Sequence, residues 1–426
     1  MKKILFSILL ICLPFVAFSL EPQKKISLRE CYDLAVKHME TVQISEQQIQ
    51  EAKAKYTQAL GEVIPRIKIE ASEFLQDDHA NTSNTSTTGQ VVNTFTRFSR
   101  PQVGVNVTQS LFRGFKEIIA MKLAKTNEAE QRYNKEDVER LLYQDVATAF
   151  YTVMQVELNI ASSSRIIKAY RDRIVELRKR VDLGKSRGSE LLAQESELAI
   201  LEGSLEKEKG SLKVAYEMLS FLTGLDPHPR IRWDDSNKLN LRPLTEYTAL
   251  AEGRADVMAS KKAVDLAKGE VKFKKGDLLP DANAKFNAYP YRAGFQKDIF
   301  WDANFALNIP VFNWSTYGLI REAKAKALQT ELQSQLLKRQ VLREIKSAYD
   351  KYQASVLEYR KYNVAAQKSE KSYFQQVEDY NLGLINNLDV IYALNTWLQA
   401  IRQRDESKVR VLSDWVSLYV TSGIKP

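Results

Sequence analysis

The sequence predicts a mainly α-helical fold with a small transmembrane β part, and three observations carry that prediction. Pro (11) and Gly (16) are few in 426 residues and cluster at a handful of positions. Between them run long stretches of Ala, Glu, Lys, Leu, Gln and Arg, the composition of long helices. Short segments elsewhere alternate apolar and polar residues strictly, the period of a strand with two unlike faces. The whole plan then occurs twice along the chain.

The chain opens as an export signal. Met1-Lys2-Lys3 is a positive start, Ile4 to Phe18 an apolar stretch, and Ala17-Phe18-Ser19 a small-x-small cleavage site, so residues 1–19 are expected to be removed before Leu20. Polar residues follow at once, leaving the apolar run too short for a membrane-spanning helix. Cys12 leaves with this segment, and Cys31 alone cannot form an intrachain disulfide. Neither cysteine has the preceding residues of a lipidation site. Formal charge is +9, falling to +7 without Lys2 and Lys3, and the signs alternate along the helices. This is a solvated surface and not a nucleic-acid footprint.

The repetition defines the domains. Glu51-Ala52-Lys53 through Pro65 resembles Leu266-Ala267-Lys268 through Pro280. Leu111-Phe112-Arg113-Gly114 corresponds to Val311-Phe312-Asn313-Trp314, and Ala147 to Phe150 corresponds to Lys346 to Tyr349. Leu183-Gly184 with Glu190-Leu191-Leu192 matches Leu382-Gly383 with Asp389-Val390-Ile391. The order is kept while the offset shrinks from 215 to about 200, which an insertion between residues 75 and 100 of the first half explains. A tandem duplication follows: a first repeat over 20–225, a linker over 226–243, and a second repeat over 244–426.

Each repeat reads as helix, strand, loop, strand, very long helix, Gly-containing turn and helix. In the second, Ala282, Ala284, Phe286 and Ala288 face away from Asp281, Asn283, Lys285 and Asn287, and Trp301 to Ile309 alternates likewise. In the first, Val103, Val105 and Val107 alternate with polar residues, as do Ile67 and Ile69. Four such strands cannot enclose a core, but each is near the ~9–11 residues a tilted strand needs to cross hydrocarbon. Open strand edges are not tolerated in lipid, so partner subunits would have to close a barrel. Asp77 to Thr88, rich in Asn, Thr and Ser, suits an external loop.

From Lys116 to Asp182 there is neither Pro nor Gly, and at ~1.5 Å per residue such a helix is roughly 100 Å long. Its seam runs Leu142, Val146, Ala149, Val153 and on to Val181 in alternating steps of four and three, a coiled-coil repeat. The second long helix has a more polar, tyrosine-rich seam from Ile345 to Tyr380. That seam reads either as helices side by side around a wide wet interior or as a weaker coiled coil. Each long helix ends at a glycine, Gly184 or Gly383, and a further helix returns. Gly184-Lys185-Ser186 is no phosphate loop, because Lys179 stands where the earlier glycine belongs and no apolar strand precedes it.

The duplicated plan, the Gly-x5-acidic-apolar-apolar turn, Gly253-Arg254-Ala255-Asp256-Val257 and the Ser110-Leu111-Phe112-Arg113-Gly114 turn together resemble the TolC-type outer-membrane efflux proteins. The resemblance covers nearly the entire mature chain. It implies a homotrimer whose long helical hairpins form an α-barrel continuous with a twelve-stranded outer-membrane β-barrel, four strands per subunit. It further implies an exit duct for tripartite efflux or type I secretion, set in outer-membrane lipid, with a long periplasmic extension. The implied partners are a periplasmic adaptor (membrane fusion) protein and an inner-membrane transporter, and the hairpin geometry makes the turns at 183–190 and 382–389 the expected docking surface, through Gly184, Lys185, Ser186, Arg187, Gly383 and Leu384. The family's constriction aspartate falls on Asp389, its turn tyrosine on Tyr380 and the acidic partner on Glu190, so a Tyr380–Glu190 hydrogen bond is expected to hold the closed state. Two positions depart from the pattern. A basic residue of the closing network is Ile385 here, and the second constriction aspartate is Tyr392, so one acidic ring is expected with a tyrosine ring below it. Asp389 also reads as an acid placed to start its helix.

Two other classes of function fit the residues less well. A periplasmic coiled-coil adaptor or structural protein would use the strands as a small soluble domain, against the apolar face that each carries. An enzyme would need a constellation that is missing. His38, His79 and His228 stand apart from one another and from cysteine at ligand spacing, and neither nucleophile elbow, zincin motif nor dinucleotide loop occurs. No cofactor or metal is expected.

Overall fold

The computed structural model describes residues 25–75, 84–85, 91–92, 99–225, 231–232, 241–293 and 298–424. The expected signal segment, most of the Asp77–Thr88 loop and most of the 226–243 linker lie outside them. Helices α1 (Leu28–His38) and α2 (Glu40–Gly61) lead into strand β1 (Arg66–Leu75). The short β2 (Asn84–Thr85) and β3 (Val91–Val92) pair with each other before β4 (Ser99–Arg113). Helix α3 (Lys116–Asp182) and α4 (Gly188–Thr223) complete the first repeat. The second runs α5 (Leu244–Leu250), α6 (Ala255–Lys275), β5 (Asp281–Arg292), β6 (Trp301–Asn308), α7 (Trp314–Asn381) and α8 (Asn387–Thr421). The fold is mainly α with a four-stranded antiparallel sheet, as the sequence patterning requires.

The chain divides into two compact units, and each draws on both repeats. One comprises residues 39–144, 240–357 and 414–426 and contains the sheet. Its strand order is β1-β4-β5-β6, so the hairpins of the two repeats meet at β4 and β5. Register carries the alternation across the sheet: Ile69 pairs with Val105, Val107 with Phe286, and Ala284 with Phe305. Those residues share the apolar face, while Lys68, Asn106, Asn287 and Asp302 share the polar one. Asp302 accepts hydrogen bonds from Asn287 Nδ2 (2.7 Å) and the Tyr289 hydroxyl (2.8 Å), tying β5 to β6 on the polar face. Among the described residues the apolar face is left largely uncovered, with Ile69 75% and Phe305 76% exposed. The outer edges of β1 and β6 are unpaired within the described residues.

The turns that follow β4 and α6 are packed on each other. Gly114 has φ +62°, and a β-carbon there would stand 2.3 Å from the Gly276 carbonyl oxygen, so the Ser-Leu-Phe-Arg-Gly turn needs its glycine for both conformation and space. Lys116 and Asp277 form an ion pair across the same contact.

The other unit comprises residues 1–38, 145–239 and 358–413. Here the later part of α3 runs antiparallel to α4, with Arg171 bonded to Glu202 (2.6 Å) and Tyr216 to Glu157 (2.7 Å). The later part of α7 pairs with α8 in the same way, with Tyr373 stacked on Trp397 and Arg410 bonded to Glu358. A shared core of Ile166, Ile167, Tyr170, Tyr373, Leu394, Trp397 and Ile401 joins the two hairpins. The predicted seams are buried: Val153 and Tyr170 on α3, Ala366, Tyr373 and Tyr380 on α7. The Tyr170 hydroxyl donates to Asn395 Oδ1 (2.7 Å), and burial pushes its pKa up to about 12. Among the described residues no helix is long and apolar enough to cross a membrane.

Candidate functional site at the hairpin turns

Both long helices stop in the same way. After α3, the Gly184 N–H donates to the Val181 carbonyl (2.9 Å) and Lys185 N–H to that of Arg180 (2.8 Å). After α7, Gly383 N–H donates to Tyr380 (3.0 Å) and Leu384 N–H to Asp379 (2.9 Å). This is the paired closing bond of a Schellman motif, and its left-handed residue is Gly184 (φ +71°) in one repeat and Gly383 (φ +76°) in the other. The duplicated glycines thus satisfy carbonyls that the helix ends would otherwise leave open. Leu183, Leu382 and Leu384 are exposed around the turns, as are Lys185 and Arg187, while Ser186 is half-buried.

The next helices start differently. Asn386 and Asp389 cap α8 reciprocally: Asn386 N–H donates to Asp389 Oδ2 (3.2 Å) and Asp389 N–H to Asn386 Oδ1 (3.1 Å). Asp389 therefore starts its helix while its carboxylate stays exposed. Tyr392, three positions on, lies on the same helical face and is 74% exposed. On α4, Glu190 accepts from Ser186 Oγ (2.9 Å).

The expected Tyr380–Glu190 hydrogen bond is not formed in this protomer. Glu190 is satisfied within its own turn, and Tyr380 is buried under two guanidinium groups. Arg173 lies with its central carbon 4.0 Å from the Tyr380 ring centroid, and Arg180 lies at 4.2 Å. Arg173 also donates to Glu176 Oε2 (2.7 Å) and Asn387 Oδ1 (2.9 Å), and Arg180 to Asn381 Oδ1 (2.8 Å). Two basic groups are thus brought to this turn by α3, while Ile385 in the turn itself is half-buried. Sequence reading missed Arg173, Arg180 and Asn387. The signal available was an arginine flanking the buried seam at Tyr170 and Ile174, next to a helix whose own seam is rich in tyrosine.

The chain is similar to known proteins in sequence and in fold. The sequence profile of the family described as "Outer membrane efflux protein" matches residues 31–225. The outer membrane efflux protein BepC of Brucella suis biovar 1 (strain 1330) is 26% identical over 305 residues, which span 69% of this chain and 65% of that protein. The fold is shared with the outer membrane protein VceC of Vibrio cholerae, with a TM-score of 0.80 at 18% identity over 93% of this chain and 97% of that one. It is shared also with the Campylobacter jejuni CmeC outer membrane channel, with a TM-score of 0.79 at 16% identity over 93% and 85% of the two chains. Profile, relative and fold agree with the duplicated plan read from the residues, and the chain is similar in sequence and in fold to outer membrane efflux proteins.

Proposed function

We propose that this chain is the subunit of a homotrimeric outer-membrane channel that serves as the exit duct for tripartite efflux or type I secretion. The observation that carries this reading is the four-stranded sheet, apolar on one exposed face, polar on the other and open at both edges. Three such sheets pairing β6 to β1 would remove every edge and give a twelve-stranded barrel with lipid outside and a wet lumen inside. The long helices would continue the lumen into the periplasm and narrow it at the hairpin turns. A periplasmic adaptor and an inner-membrane transporter would dock on the exposed surface formed by Gly184, Lys185, Ser186, Arg187, Gly383 and Leu384.

In this reading Asp389 lines the constriction with Tyr392 beside it on the same face. Three carboxylates converging on an axis would attract cations and repel anions. Tyr380 and Glu190 flank the constriction, each held within its own protomer. The test is single-channel conductance of the mature protein in planar bilayers, wild type against Asp389→Ala. Small, cation-preferring openings blocked by divalent cations, with selectivity lost in the variant, are expected. Openings indifferent to the substitution would remove the acidic ring and keep the channel. Failure of the folded protein to insert would overturn the channel itself.

A further inference from the structure

We propose that Arg173 is the positioning residue of the gate, clasping the α7–α8 turn to α3 through the face of the Tyr380 ring and not through its hydroxyl. This rests on the channel reading above and names the contact that must break when the turns separate.

The geometry is that of a cation held on two sides. Arg173 projects from α3, and its side chain is only 3% exposed. Its guanidinium lies over Tyr380 of α7 at 4.0 Å, while one terminal nitrogen donates to Asn387, the first residue of α8. One side chain therefore grips both arms of the second hairpin where they meet. Arg180, two helical turns further along α3, adds a second guanidinium to the same ring and bonds to Asn381, the last residue of α7. A desolvated arginine on an aromatic face is among the stronger contacts available to an uncharged ring.

The clasp is also incompletely satisfied. Arg173 Nε and Asn387 Nδ2 are both buried and have no hydrogen-bond partner. Buried polar atoms in folded proteins are nearly always paired, so two unmet donors in one contact lower its net contribution to stability. Separation of the turns would expose both donors to water, which offsets part of the loss of the cation–ring contact. Closed and open arrangements are thereby brought nearer in free energy, the condition for a two-state element that a docking partner can bias.

The full chain provides the test, in a Cys31→Ala background with spin labels at Leu183 and Leu382, the exposed residues beside each turn glycine. Four variants are compared by pulsed electron spin resonance and by bilayer conductance. Arg173→Gln and Tyr380→Leu should broaden the label separation to longer distances and give a several-fold rise in mean conductance. Tyr380→Phe should match wild type in both, because a phenyl ring still presents its face. Arg173→Lys, which keeps the charge and loses the planar fork, should fall between. A Tyr380→Phe variant that behaves like Tyr380→Leu would overturn the clasp, because the hydroxyl would then be the holding group. So would wild-type distances and conductance in both Arg173 variants. Labels that separate without any rise in conductance would overturn the gate role of these turns while leaving the helix-to-helix contact itself in place.

Discussion

Arg254 joins a sequence motif to a packing role. Its guanidinium binds both carboxylate oxygens of Asp256 (2.8 and 2.6 Å), and the remaining nitrogen reaches Glu344 (3.1 Å) and the Thr421 carbonyl (3.0 Å). Arg140 takes the neighbouring Val420 carbonyl (3.2 Å), so two arginines close the C-terminus of α8. The cation at a helix C-terminus is favoured by the helix dipole as well. Burial alone would raise the Asp256 pKa, but the Arg254 hydrogen bond and charge outweigh it and hold the carboxyl below its ordinary range. A depressed folded-state pKa means that this contribution to stability is present above the ordinary carboxylate range and is lost as pH falls through it. Arg254→Met should cost about 1–3 kcal/mol, since it takes the charged partner from a half-buried carboxylate that keeps only the Val257 N–H. Thermal unfolding of the two proteins at neutral and at low pH checks both parts: the gap should narrow on acidification. A gap that is constant with pH would mean that Arg254 acts by packing alone.

At the scale of elements, the hairpin turns show which features the sequence makes legible. The ends of α3 and α7 were readable because each needs a left-handed residue, and only glycine takes that conformation without strain. The strands were readable because a buried or lipid-facing surface on one side imposes a period of two. The order β1-β4-β5-β6 was not, since which hairpin edges meet is a nonlocal choice that leaves no local pattern. The Arg173 contacts escaped for the same reason: Arg173 and Asn387 lie 214 positions apart, and a cation over a ring has no periodicity. The turns themselves support a prediction. A bulky residue at Gly184 or Gly383 meets open space, so its effect is confined to the positive φ and to whatever docks there. Gly184→Trp or Gly383→Trp should cost about 1–2 kcal/mol in the turn conformation and abolish cross-linking of the periplasmic adaptor to the turns. Undiminished cross-linking would place docking elsewhere.

For the molecule as a whole, the described sheet has two open edges, and in the channel reading the physics of the bilayer states what must close them. An unpaired backbone N–H or C=O in hydrocarbon costs several kcal/mol, and β1 and β6 each present a row of them. In the channel reading, association by β6–β1 pairing would be coupled to insertion, and the apolar face of Ile69, Val105, Phe286 and Phe305 would meet lipid in the closed barrel. Successive residues on β6 direct their N–H groups alternately to β5 and to the open edge. Of two single variants, Ala303→Pro and Asn304→Pro, one removes a donor to β5 and the other a donor to the next subunit. Both should retain most of the helical circular dichroism, which arises from α3, α4, α7 and α8 and not from the strands. The variant that loses the outward donor should run as a monomer in detergent, where wild type should run as a trimer, and should give no channels in bilayers. A trimer that survives both substitutions would show that the helices hold the assembly and that the strands close only as a consequence.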